Sequence, residues 1–127
     1  MFPHVVTVIN SAKIKDKLTL KSCTVENVFF YNQKIIAQEN SGEKYSNTYH
    51  CIFSETSIEK YLKPKEYNLQ DEYFTLEENK TIIIKGIADI SNLDDLENVD
   101  NWFYVKTISD NSDYGEELKN IEVTNWK

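Results

Sequence analysis

The sequence predicts a mainly β protein: a small antiparallel barrel or sandwich of about six strands with one or two short helices. Three observations carry that expectation. The chain opens into His4-Val-Val-Thr-Val-Ile-Asn10 and closes on a hairpin pattern, Trp102-Phe-Tyr-Val-Lys-Thr-Ile-Ser109 answered by Leu118–Trp126. Its apolar residues are weighted toward Ile, Val, Tyr and Phe, which suit a half-buried pleated surface. Between the ends, short alternating runs are broken by polar turns, with little helical periodicity. Beginning and ending in sheet implies one β unit over residues 1–127, without long arms or catalytic insertions.

The first strand, His4–Asn10, places Val5, Thr7 and Ile9 on one face and Val6 and Val8 on the other. Apolar groups on both faces fit a small barrel or a subunit contact. Ser11–Lys17 reads as a polar turn carrying three lysines. Leu18–Val25 alternates, with Leu18, Leu20 and then Cys23 or Val25 expected inward and a bulge near Ser22. Val28–Tyr31 continues the strand. Gln33–Asn47 reads as a polar loop, because Glu39-Asn-Ser-Gly-Glu-Lys44 consists of turn formers and charges.

Thr48–Phe53 resumes as strand, alternating Tyr49, Cys51 and Phe53 against His50 and Ile52. Ser54–Leu62 predicts a helical turn capped by Ser54 or Thr56 and ended by Pro64. Glu66–Phe74 has room for a short strand. Leu76–Lys80 predicts a turn into Thr81-Ile-Ile-Ile-Lys-Gly86, the most β-rich run and the expected central strand, with Gly86 at a bend. Ser91–Glu97 has the form of a capped, acidic helical turn. The closing hairpin is expected to turn at Asp110–Gly115.

A chain of 127 residues is long enough for one real core, burying roughly two-thirds of its extended surface. Its 21 acidic groups outnumber 14 basic ones, all of them Lys, for a net charge of −7. That balance repels phosphate backbones, and the missing Arg removes the usual bidentate reader of guanine and phosphate. No leader pattern and no run approaching a membrane span is visible, which reads as a soluble protein made inside a cell. Cys23 and Cys51 each sit in an apolar run and read as small buried hydrophobes. They could bridge only if their strands were neighbours.

No motif assembles an active site, and no enzyme activity, cofactor or metal is expected. His4 and His50 form no ligand pair, and the acidic runs lack the spacing and turn glycine of a calcium loop. With three glycines there is little material for a phosphate-cradling loop. The aromatics Phe29, Phe30, Tyr31, Trp102, Tyr104, Tyr114 and Trp126 serve either as core and cross-strand pairs or as interface anchors. Base stacking would need a cationic groove, against the charge balance.

Taken in order, the Phe-Pro-His-Val-Val-Thr-Val-Ile-Asn opening, Cys23–Val28, Tyr49–Phe53, Thr81–Gly86, the acidic turn Ser91–Glu97, Val105–Asn111, Tyr114-Gly115 and Glu122–Trp126 resemble a known pattern. It is that of small neck proteins of tailed phages of Gram-positive bacteria, the head-completion or stopper proteins. The chain departs from it at Phe29-Phe30, where such proteins commonly carry a Trp. The resemblance implies a virion structural protein, assembled in the bacterial cytoplasm. It implies a homo-oligomeric ring, hexameric in the particle, that joins the head-side portal connector to the tail-terminator or tail proteins. DNA then passes through the channel without sequence-specific binding, and no membrane is involved.

By the same resemblance, Glu39, Asn40, Ser41, Gly42, Glu43 and Lys44 form a channel-facing loop. Val6, Val8, Trp102, Tyr104, Tyr114 and Trp126 are the expected assembly contacts. Two other readings remain open: a tail-terminator or other tail ring subunit, and a small monomeric ligand- or peptide-binding β module.

Overall fold

The structure, a computed structural model, describes residues 3–39, 42–70, 72–90, 92–99, 101–110 and 121–125. Of residues 34–39, 42–47 and 110 it describes the backbone alone. Seven strands are present among them: β1 His4–Ile14, β2 Lys17–Glu39, β3 Gly42–Phe53, β4 Ile82–Lys85, β5 Trp102–Tyr104, β6 Thr107–Asp110 and β7 Ile121–Asn125. All pairings between them are antiparallel, in the order β5-β4-β1-β2-β3-β7-β6. The helical elements among the described residues are two 3-10 turns, Ser57–Lys60 and Leu93–Asn98. The fold is therefore mainly β, as the alternation predicts.

The strands at the two ends of that order, β5 and β6, are separated in sequence only by Val105 and Lys106. The Val105 N–H donates to Thr81 O at 2.9 Å, and the Lys106 N–H donates to Thr124 O at 2.8 Å. One bent segment thus pairs first with the β4 side and then with the β7 side, and the sheet curls back on itself as a barrel. Thr81–Gly86, expected as the central strand, supplies an inner strand next to the edge instead: β4 lies between β1 and the terminal strand β5. Gly86, at φ 91°, bends the chain away, with its N–H on Val5 O at 2.7 Å.

Inside the curl, every strand but the short β6 contributes buried apolar groups. Val6 and Val8 meet Cys23, Val25, Val28, Phe30, Cys51, Phe53, Ile83, Phe103, Ile121 and Val123, with Phe74 and Leu76 closing one end. A second cluster covers the outer face of β1 and β4, where Ile9, Ile82 and Ile84 pack under Ile90 and Leu96. The two-faced apolarity of the first strand is satisfied by these two layers within one chain. Val6 and Val8 are both 0% exposed, so they are core residues and not the assembly contacts expected of them.

Several sequence expectations need correction. The first strand runs on through Ser11–Ile14, and the turn is only Lys15-Asp16, both at positive φ (52° and 64°). That is the conformation a two-residue hairpin of native twist requires. The phase break in β2 falls not at Ser22 but at Glu26-Asn27, where Asn27 has φ 60° and the pairing shifts between His4 and Val5. Asn tolerates this left-handed conformation better than a branched residue. Leu18 and Leu20 lie on the outer face instead of the inner one, and Leu18 is 51% exposed. At the first 3-10 turn the N-cap position is Thr56, which makes no side-chain cap bond; Ser54 Oγ accepts from the Ser57 N–H at 3.3 Å instead. At the second 3-10 turn the cap is Asn92, whose side chain accepts from the Asp94 N–H. Ser91, expected there, lies outside the described residues.

Candidate functional site

The feature that most alters the sequence picture is the β2–β3 hairpin. Gln33–Asn47, read above as a loop, is strand on both sides, paired in register from Val28 opposite Phe53 out to Glu39 opposite Gly42. β1 pairs with β2 only as far as Val28, and β7 pairs with β3 only as far as Tyr49. The seven pairs from Gln33–Thr48 to Glu39–Gly42 therefore have, among the described residues, no third strand beside them. At strand rise they form an arm roughly 20 Å long. Of the expected loop, Glu39 ends β2 and Gly42, Glu43 and Lys44 begin β3, while Asn40 and Ser41 lie outside the described residues. The turn formers signalled the reversal of the chain but hid the length of strand on either side, and the expectation of no long arms fails here.

The arm leaves the barrel from a root of stacked rings. His4 stacks on Phe29 at 5.5 Å between centroids, and Phe29 lies 5.2 Å from Tyr31. Tyr31 stacks in turn on His50 at 4.5 Å with planes 5° apart. Tyr31 and His50 are directly opposite in the β2–β3 register, one rung before the pair Asn32–Tyr49. His50 Nδ1 lies 3.5 Å from Glu122 Oε1 on β7, as an ion pair when the ring is protonated. Neither ring nitrogen of His50 has a hydrogen-bond partner. Burial pushes the Tyr31 hydroxyl above its ordinary range, and the Glu122 carboxylate adds to that direction.

On the inner side of the same rungs, Phe30, Tyr49 and Phe103 form a triangle of rings at 5.8–6.1 Å. His4 carries the β2 ladder past the end of β1, because its Nδ1 accepts the Phe30 N–H at 3.0 Å. Rings above and below the sheet thus clamp the arm's base, where an isolated two-stranded hairpin would be marginal. Sequence reasoning singled out Phe29, Phe30 and Tyr31 as core pairs or interface anchors without seeing that they form the root of an arm.

Of the expected assembly contacts, Trp102 and Tyr104 are half-buried, edge to face at 5.6 Å, and packed against the outer apolar cluster of their own chain. Tyr114 and Trp126 lie outside the described residues. Cys23 and Cys51 are both free and buried in the barrel interior. Burial pushes both thiols up, away from the reactive thiolate. Among the described residues there is no group of three or more His, Cys, Asp or Glu placed to hold a metal ion. No described helix is long and apolar enough to cross a membrane.

Over residues 2–125 the chain matches the model of DUF6751, a family of unknown function, and it belongs to that family. No curated protein and no solved structure matches it.

Proposed function

We propose that this member of the family is a structural subunit of a phage head–tail connector, a stopper-like ring component that joins the head-side connector to the tail around the DNA channel. The observation that carries the reading is the β2–β3 arm: a hairpin rooted in stacked rings and extending from a small curled, barrel-like sheet, where the resemblance calls for a channel-facing segment. A barrel supplies a rigid body for a ring wall, and the arm supplies reach from that wall toward an axis. The chain's net charge of −7 suits a wall that DNA slides past, since like charge keeps the duplex from adhering. On this reading the protein resides in the virion, its partners are further copies of itself with the portal-side and tail-side rings, and DNA is a passenger.

The tail-terminator alternative calls for longer helices laid across a sheet, and the described residues hold only two 3-10 turns. A ligand-binding module would be favoured by an enclosed pocket with converging polar groups. Among the described residues, the clefts bordered by Ile9 and Leu20, by Leu18 and Ser22, and by Val25 and Asn27 lie instead along strand and turn borders. The test is reconstitution. Purified protein mixed with its cognate connector and tail rings should add a discrete ring layer, visible by electron microscopy. Failure to associate with either ring overturns the proposal.

A further inference from the structure

The β1–β2 hairpin tip is unlike the rest of the surface. Ile14 and Leu18 stand 48% and 51% exposed there, flanked by the exposed Lys13, Lys15 and Lys17. Residues 13–21 carry Lys13, Lys15, Lys17 and Lys21 against Asp16, a local charge of +3, which leaves −10 on the remainder of a −7 chain. Lys13 pairs with Leu18 and Ile14 with Lys17, so each face of the hairpin tip carries one exposed apolar side chain beside a lysine, and this cationic tip is matched in sign by the acidic remainder of a second copy of the same chain.

A recess suited to receive it lies farther along the same strand. The bulge at Asn27 and the Ser57–Lys60 turn enclose a cleft of about 190 Å³, floored by Val25 and bordered by Glu26, Asn27, Ser57, Glu59 and Lys60. Of the charged residues that border it, Glu26 and Glu59 outweigh Lys60. From Lys17 to Glu26 the strand spans roughly 30 Å, so a tip cannot reach the cleft of its own chain. The clefts near the tip, in contrast, are bordered by its own Leu18 and Leu20.

We propose that the basic, apolar β1–β2 tip of one copy docks in the acidic cleft between Asn27 and the Ser57–Lys60 turn of the next. The two patches differ and lie far apart, so the contact is heterologous and each copy has one tip and one cleft to offer. Such a contact propagates, and it closes as a ring when the rotation per subunit divides a full turn. The inference rests on the ring reading above and supplies its subunit interface.

Zero-length carbodiimide coupling joins a lysine to a carboxylate only when they touch. An equal mixture of unlabelled and ¹⁵N-labelled full-length chain, coupled at high concentration and low salt, separates contacts between copies from those within one. Heavy–light cross-links joining Lys13, Lys15 or Lys17 to Glu26 or Glu59 are the expected product. Reversing the tip (Lys13→Glu, Lys15→Glu, Lys17→Glu) should lower heavy–light coupling about tenfold at an unchanged circular dichroism spectrum. With Lys gone from the tip, the reversed chain is read through its partner: mixed with Glu26→Lys, Glu59→Lys chain, it should couple again, tip carboxylates to cleft lysines. Heavy–light links spread evenly over the surface, or absent altogether, overturn the inference. Should a ring form with the neck partners while tip and cleft stay uncoupled, this interface is wrong and the functional reading stands. Tip–cleft coupling with no association to either neck ring has the opposite meaning.

Discussion

The Tyr31 ring lies face to face on the His50 imidazole, 4.5 Å between centroids, at the rung where the β2–β3 hairpin leaves the support of its neighbours. That one contact joins the two strands of the arm on the outer face, while Glu122 on β7 lies 3.5 Å from His50 Nδ1 and pairs with it when the ring is protonated. Its position makes the arm a rigid extension of the sheet at its base.

Tyr31→Ala should therefore release the arm before it unfolds the barrel. The aromatic pair is worth about 1 kcal/mol. Hydrogen exchange should show faster opening in residues 33–39 and 42–48, with protection in β1 and β4 unchanged. Uniform acceleration across all strands would contradict a local clamp.

Asn10 is the polar staple of the barrel. Its Nδ2 donates to Thr75 O at 2.8 Å and Thr81 Oγ1 at 3.1 Å, and its Oδ1 accepts from the Thr75 N–H at 3.1 Å, all buried. Asn10→Ala orphans these groups and should cost about 2–4 kcal/mol, read from the urea midpoint. Asn10→Asp should be at least as damaging, because it buries a charge facing a carbonyl.

At the bulge, Asn27 holds φ 60°. Asn27→Gly should leave stability within about 0.5 kcal/mol of the parent, whereas Asn27→Val should cost about 1–2 kcal/mol, since a branched side chain resists the left-handed region. Equal thermal midpoints for the two variants would contradict the assignment of the register shift to this residue.

Alkaline pH should destabilise the protein through groups held neutral by burial. Burial pushes the Tyr67 hydroxyl up to about 12, and the buried Cys51 thiol also rises. A raised folded-state value means the unfolded chain loses its proton first, so stability is full below the ordinary thiol and phenol values and falls as pH climbs through them. Urea midpoints should decline from about pH 8.5 upward. Among the described residues the Tyr67 hydroxyl has no hydrogen-bond partner, so Tyr67→Phe should be neutral or stabilising at pH 7 and should shallow the alkaline decline.

Much of the barrel was legible because alternation has a physical cause. Val6 and Val8 against Thr7 and Ile9, Cys51 and Phe53 against His50, and the Ile82–Ile84 run all sort onto faces as their spacing demands. The errors cluster where spacing is ambiguous. Leu18 and Leu20 share a parity with each other but not with Cys23 and Val25, which suits a bulge at Ser22 or a change of face without one. The structure takes the second course and places its bulge at Asn27. Gln33–Asn47 read as loop because its sequence lacks the apolar–polar alternation that reveals strands, and turn formers and charges fill its centre. The Asn10 staple joins residues 65 and 71 positions apart, and no local pattern announces it. Nor does composition separate an inner strand residue such as Val6 from an interface residue, since both are apolar and both are buried from water.

The most direct test of the account is a cryo-electron microscopy reconstruction of the protein bound between its connector and tail rings. The account predicts a closed ring of these barrels with every β2–β3 arm directed into the lumen. A ring whose arms point outward, or a chain that joins neither neighbour, would contradict it.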